Sequence, residues 1–229
     1  MRFSGGDRVD TIRLLVADDH AVVRTGIRSL LEEQSGWKVV AEACDGREAV
    51  EKAKQLKPAV AILDITMPGL NGLEATRQIV EKVPGTQVLI LTVHDSEVLA
   101  QQVLQAGARG YLLKSDVGRD LITAVDALLR NRTYLTSTVS RLIMDGYLGK
   151  GPKAGENGAG LNGSLRLTTR EREIIQLLAE GKSSKEVASV LNISVKTAET
   201  HRANLMRKLE CHSVVELVRY AVRNMIVEA

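Results

Sequence analysis

The sequence predicts a doubly wound α/β domain on five parallel strands, followed by a small all-α domain of four helices. Three observations carry this. Short runs apolar on both faces alternate with amphipathic stretches as far as Leu129, the pattern of a parallel sheet covered by helices on each side. A break, GKGPKAGENGAGLNG, then spans 149–163; six of its fifteen residues are Gly, the composition of a flexible linker. Beyond it only helical periodicity remains. Two domains also suit a chain of 229 residues.

The elements follow in order. Residues 1–11 form a flexible extension ahead of the first strand. The α/β domain covers 12–130. Its strands are expected at Ile12–Ala17, Val39–Ala43, Val60–Leu63, Val88–Leu91 and Tyr111–Leu113. Its helices are expected at Val22–Glu33, Arg47–Leu56, Leu73–Val83, Glu97–Gln105 and Arg119–Leu129. A helical extension occupies 131–148, with clear periodicity from Ser137 to Leu148. After the 149–163 linker, the domain at 164–229 holds helices at Thr169–Glu180, Ser184–Leu191, Val195–Leu209 and Ser213–Met225. Thr168 caps the first of these, and Asn192-Ile193-Ser194 breaks the second from the third.

Composition excludes several classes. No apolar run reaches the roughly 18 residues of a spanning helix, and the polar N-terminus lacks a signal-peptide core. A cytoplasmic protein without membrane association is expected. Two Cys and four scattered His supply neither a disulfide framework nor a metal-ligand spacing. One Phe, one Trp and four Tyr are too few for a platform that stacks single-stranded nucleic acid. The net charge of +3 divides unevenly. Residues 1–148 hold 18 basic and 19 acidic side chains, a net of −1; residues 164–229 hold 11 and 8, a net of +3; the linker adds +1.

In a doubly wound sheet, sites form at the carboxyl ends of the strands. Asp18 and Asp19 end the first strand, Asp64 the third and Thr92 the fourth; Lys114 follows the fifth. Three carboxylates brought together repel unless a cation joins them, and hard oxygens with positions left to water suit Mg²⁺. A lysine and a hydroxyl opposite them suit the oxygens of a transferred phosphoryl group. Pro68 and Gly72, around Leu70-Asn71, fit a tight loop beneath Asp64.

The stretches LLVADDH (14–20), ILDITMPGLNGLEA (62–75), LILTVHD (89–95) and GARGYLLK (107–114) resemble the flavodoxin-like receiver domain of two-component response regulators. The resemblance implies that Asp64 accepts a phosphoryl group from a sensor histidine kinase. It implies Mg²⁺ on Asp18, Asp19, Asp64 and the backbone carbonyl of Thr66. Lys114 would pair with the phosphoryl group, Thr92 would hydrogen-bond it, and Tyr111 would turn inward as Thr92 moves. Many receivers carry Pro after this lysine, often with a cis peptide; this chain has Ser115. From the residues alone, Tyr111 reads as a partly exposed strand aromatic, and His94 and Asp95 as loop positions.

In the last segment, Ser184–Leu191 and Val195–Leu209 have helix-turn-helix spacing, with Val187 and Ile193 packing the angle. Lys196, Arg202, Arg207 and Lys208 make the second helix basic, suited to the major groove. LTTREREIIQLLAEGKSSKEVASVLNISVKTAETHRANLMRKL (167–209) is similar to the four-helix DNA-binding domain of NarL, FixJ and LuxR-type regulators. That similarity implies double-stranded DNA as a partner, Val195–Leu209 as the recognition helix and Ser213–Met225 as an aid to homodimer formation, through Val214, Leu217, Val218 and Ala221. Lys196, Glu199, Thr200, Ala203 and Asn204 form one stripe facing base edges. Lys196, Thr197, His201 and Lys208 suit phosphates. Glu199 is equally placed to pair with Arg202.

The combined expectation is a phosphorylation-controlled, DNA-binding transcription regulator that performs chemistry only on its own acceptor. In it, phosphorylation would release the recognition helix and favour a dimer on a two-half-site operator, with the resting arrangement of the domains left open. Two other readings stand beside it: a phosphorylation-independent DNA binder and an aspartyl-phosphate phosphatase. The second needs an acid near the nucleophile, where Thr66 stands.

Overall fold

The computed structural model describes residues 11–136, 139–140 and 167–227. Residues 1–10 of the N-terminal extension, the 149–163 linker and most of the expected 137–148 helical stretch lie outside them.

Five parallel strands form one sheet: β1 (Ile12–Ala17), β2 (Trp37–Ala43), β3 (Val60–Asp64), β4 (Gln87–Thr92) and β5 (Gly110–Leu113), in the order β2-β1-β3-β4-β5. Strand side chains alternate faces, and here both faces are buried. Leu15, Ala17, Ala61, Leu63, Val88, Ile90 and Tyr111 pack on one side, against α2 (Gly46–Leu56), α3 (Gly72–Lys82) and α4 (Glu97–Gln105). Leu14, Val16, Val60, Ile62, Leu89, Leu91 and Leu112 pack on the other, against α1 (Ala21–Glu32) and α5 (Val117–Leu129). That two-sided burial makes the strands read as continuous apolar runs.

After α5 the chain is extended rather than helical. Tyr134 forms a bridge beside Gly110, with Tyr111 N donating to Tyr134 O at 2.9 Å and Tyr134 N to Arg109 O at 2.9 Å. The expected helical extension therefore does not begin at 131, although Val139 and Ser140 are helical.

The second domain comprises α6 (Thr169–Ala179), α7 (Ser184–Leu191), α8 (Val195–Lys208) and α9 (Val214–Arg223). Ile174, Leu177, Val187, Leu191, Ala198, Leu205, Leu217 and Ala221 build its core, and Ile193 packs against them. Reciprocal capping boxes start two helices: Thr168 with Glu171 for α6, and Ser183 with Glu186 for α7. Asn192 closes α7 in the left-handed conformation, with φ 51°, a geometry that asparagine tolerates.

Candidate functional site

The parallel sheet brings the strand ends to one edge. Asp18 and Asp64 are buried there with Thr92, while Asp19 stays exposed at the rim. Lys114 Nζ reaches over from β5 and lies 2.8 Å from Asp18 Oδ2 and 2.9 Å from Asp64 Oδ2. The pocket thus joins two buried carboxylates through one ammonium. Burial raises the Asp64 carboxyl from 3.8 to about 6, and Lys114 and the Thr66 backbone amide pull it only part of the way back. Burial also opposes the charge on Lys114, but Asp18 and Asp64 outweigh it and its pKa is raised.

Carboxylate oxygens of Asp18, Asp19 and Asp64, with a nitrogen of His20, lie within 4.8 Å of one another. Asp18 Oδ2 is buried and has the lysine charge beside it but no aligned hydrogen-bond donor. Three hard oxygen donors with an unsatisfied buried lone pair fit a hard divalent cation. His20 was not singled out by the sequence. It stands at the N-cap of α1, its backbone N–H donates to Asp18 Oδ1 at 2.8 Å, and its Nδ1 lies 2.7 Å from Asp19 Oδ1. The contiguous Asp18-Asp19-His20 was the signal for it.

The loop after β3 holds the Asp64 carboxylate in place. Gly72 N donates to Ile65 O at 2.9 Å, and a Cβ at Gly72 would sit 2.0 Å from Asp64 O. Only glycine permits that approach. Gly69 takes φ +73°, also open to glycine. Asn71 caps α3, its side chain accepting from Glu74 N at 2.9 Å.

Thr92 Oγ1 accepts from His94 N at 3.1 Å. Tyr111 is wholly buried, and its hydroxyl donates to His94 O at 2.5 Å. The partly exposed ring read from local sequence is therefore corrected: β5 aims Tyr111 into the α2/α3/α4 face of the core. His94, read as a loop position, ties both residues together. Among the described residues no peptide is cis, including the bond from Lys114 to Ser115.

On the second domain, Lys196, Thr197, Glu199, Thr200, Ala203 and Asn204 are exposed on α8, and His201 is half-buried. The first domain does not cover this stripe. Lys208 Nζ is held by Glu171, 2.8 Å from Oε2. The expected pairing set on α9 also changes. Leu217 and Ala221 are fully buried in the domain's own core, so they cannot meet a partner. Val214 is exposed, and Val218 faces the first domain.

The two domains meet through α6 and the end of the chain. Gln176, buried in the contact, donates to Met67 O at 2.9 Å and accepts from Asn71 N at 2.9 Å. Gly69 N donates to Glu180 Oε1 at 2.8 Å, and Asn71 Nδ2 to Ile226 O at 3.0 Å. Glu173 accepts from Arg47 at 3.2 Å and from Gln78 at 3.1 Å. Arg172 lies 3.6 Å from Glu74. Apart from Asn71, named only within the tight loop beneath Asp64, none of these residues was marked by the sequence, in which they read as ordinary helix and loop positions.

A carboxylate–lysine pocket on a doubly wound sheet, carried with a basic helix-turn-helix, defines a two-domain regulator. The family model for the response regulator receiver domain matches residues 14–126, and that for bacterial regulatory proteins of the luxR family matches 165–221. The oxygen regulatory protein NreC of Staphylococcus carnosus is 40% identical over 219 residues, covering 95% of this chain and 100% of the relative. NreC of Staphylococcus aureus (strain MRSA252) is 37% identical with the same coverage. A LuxR-family two-component response regulator from Aurantimonas is similar in structure, with 36% identity and a TM-score of 0.57 over 60% of this chain and 99% of that one. RcsB of Salmonella typhimurium has 28% identity and a TM-score of 0.54 over 93% and 99%. An RcsB–DNA complex has 28% identity and a TM-score of 0.56 over 93% and 98%. The chain belongs to the two-component response regulators of the NarL/FixJ type, with a receiver domain and a LuxR-type DNA-binding domain. It is a phosphorylation-controlled regulator of transcription.

Proposed function

We propose that Asp64 is the phosphoacceptor and that the donor is a phosphohistidine of a sensor kinase. The observation that carries this is the junction of Asp18, Asp64 and Lys114 at the strand ends. An Asp64 oxygen forms the bond to phosphorus, the phosphorus–nitrogen bond breaks, and the kinase histidine departs. Such a transfer needs positioning and charge neutralisation more than covalent machinery. Asp18, Asp19, Asp64 and the Thr66 carbonyl would hold Mg²⁺, which when bound neutralises phosphoryl oxygens. Lys114 turns from Asp64 to the new phosphoryl group. Thr92 supplies its hydroxyl to the same group, and Tyr111, hydrogen-bonded to His94 O, keeps the β4–α4 loop in the matching arrangement. The chemistry is confined to the chain's own carboxyl. A cytoplasmic location suits such a partner, and among the described residues no helix is long and apolar enough to cross a membrane.

Helix α8 reads double-stranded DNA through its exposed stripe, and α9 supports a homodimer through its exposed end at Val214. The solved RcsB–DNA complex supports the first statement by similarity. Mg²⁺-dependent labelling with acetyl phosphate tests the acceptor: Asp64→Asn abolishes it, and unchanged labelling removes Asp64 from the role. For α8, Lys196→Ala lowers the salt dependence of DNA binding by about one unit of slope, as loss of one phosphate contact requires. An unchanged slope takes Lys196 off the phosphates.

A further inference from the structure

The backbone of Asp18 is held by a side chain from the next helix. Arg24 lies on one stripe of α1 with the buried Ile27 and Leu31, and only 18% of its side chain is exposed. Its Nη1 donates to the Asp18 backbone oxygen at 2.7 Å, six residues back along the chain. Its Nε lies 3.5 Å from Glu42 Oε2. Glu42 pairs with Val16 across β1 and β2, so it shares the sheet face that α1 covers. Arg28 Nη1 holds the other Glu42 oxygen at 2.6 Å, and Lys52 Nζ donates to the Glu42 backbone oxygen. A line of contacts thus runs from the β2 edge through Glu42 and Arg24 to Asp18. The other backbone tie on Asp18 is its N–H, which donates to Ala43 O at 3.2 Å.

We propose that Arg24, braced by Glu42, is a positioning residue for Mg²⁺: it fixes the Asp18 backbone and so sets the angle at which the Asp18 carboxylate meets the cation. This rests on Asp18 being a Mg²⁺ ligand. The Asp18 side chain is short, and its oxygens can move only as far as its backbone lets them. Groups that orient a ligand from outside the coordination shell hold 10–100-fold of metal affinity. Arginine suits the task because its planar fork reaches the Asp18 oxygen and Glu42 together, which the point charge of a lysine does not. Glu42 also balances a guanidinium charge that, unopposed, would repel a divalent cation.

The test uses the full chain, titrated calorimetrically with Mg²⁺ alone. Arg24→Met/Glu42→Gln removes one charge of each sign, so the local net charge is kept and the support of Asp18 is lost. Arg24→Lys keeps the charge and is the milder change to the fold. Arg28→Ala takes a partner from Glu42 without touching Asp18. The Mg²⁺ dissociation constant is expected to rise about tenfold or more in the double variant, the low end for such a partner. It rises in Arg24→Lys as well and stays at the parent value in Arg28→Ala. In acetyl phosphate labelling the half-saturating Mg²⁺ concentration rises by the same factor, while the rate at saturating Mg²⁺ is retained. Parent-like Mg²⁺ binding in both Arg24 variants overturns the positioning role, even with a lowered urea midpoint, which is all that a structural ion pair would move. Equal weakening in Arg28→Ala also overturns it, because the effect then belongs to the charges around Glu42. Mg²⁺ binding that is unchanged in Asp18→Asn overturns the metal assignment instead, so the two failures are told apart.

Discussion

Replacing Lys114 with Met leaves two buried carboxylates without their shared cation. At an effective dielectric of about 20, a pair of unit charges at these separations is worth about 6 kcal/mol. The contacts are 2.8 Å to Asp18 and 2.9 Å to Asp64. Repulsion between the carboxylates and the desolvation of all three groups offset most of the two attractions. Removing one partner of a buried pair costs about 3–5 kcal/mol. The Lys114 side chain keeps 19% of its surface exposed, so water screens the contact and the loss falls at the lower end, about 3 kcal/mol. Methionine preserves the stem, so little cavity is created. The chain's one Trp, Trp37, packs on the α1/α5 face of the receiver, and its fluorescence follows that domain alone. In Mg²⁺-free urea the Trp37 transition of Lys114→Met moves down by about 1–2 M, at an m-value of about 2 kcal/mol/M. Added Mg²⁺ restores more stability to the variant than to the parent, because it replaces the missing charge. An unchanged Mg²⁺-free midpoint refutes the assigned charge balance.

Asp64→Asn stabilises the Mg²⁺-free receiver at neutral pH. The folded carboxyl titrates at about 6 against 3.8, so its favourable contribution is present below about pH 4 and is lost as pH rises to about 6. The gain over the parent is about 3 kcal/mol at neutral pH, at 1.36 kcal/mol per unit, and disappears in urea titrations near pH 4; equal gains at both pH values contradict it. Tyr111→Phe loses the bond to His94 O and costs about 1 kcal/mol by the same fluorescence, with labelling retained. Gly72→Ala forces a methyl against Asp64 O and lowers both the midpoint and the labelling rate; parent-like values for both would show that the loop tolerates a side chain. By sedimentation, Arg47→Ala/Gln78→Ala raises the dimer fraction of unphosphorylated chain, whereas adding Val218→Asp to that double variant returns it to monomer.

The receiver was legible because its signals are local. Strand β1 and helices α4 and α7 fall at their expected bounds. Strand β2 begins at Trp37 rather than Val39, since this edge strand is half-exposed and Lys38 interrupts its apolar run. Helix α5 begins at Val117 rather than Arg119, prolonging the turn at Lys114–Asp116. The pocket followed from one rule about strand ends. What escaped depends on pairing across the chain: the bond between Asn71 and Gln176 joins residues 105 apart, and neither type announces a partner. Helix α9 escaped for another reason. It carries apolar residues around most of its circumference, and sequence alone does not say that Leu217 and Ala221 face inward while Val218 faces the receiver.

The contact between the domains is of moderate size. Among the described residues six hydrogen bonds cross it: two at Gln176, and one each at Gly69–Glu180, Asn71–Ile226, Arg47–Glu173 and Gln78–Glu173. At about 1 kcal/mol net apiece, they contribute about 6 kcal/mol before the cost of ordering the linked domains. Moving an equilibrium from one per cent open to one per cent closed takes about 5.5 kcal/mol. A contact many times stronger would hold the domains together in both states, and one much weaker would leave nothing to release. Four of the six bonds fall on the loop that follows Asp64, at Met67, Gly69 and Asn71. On α9, Val218 turns towards the receiver and adjoins the exposed Val214, so contact with the receiver and pairing with a second copy would compete for one surface.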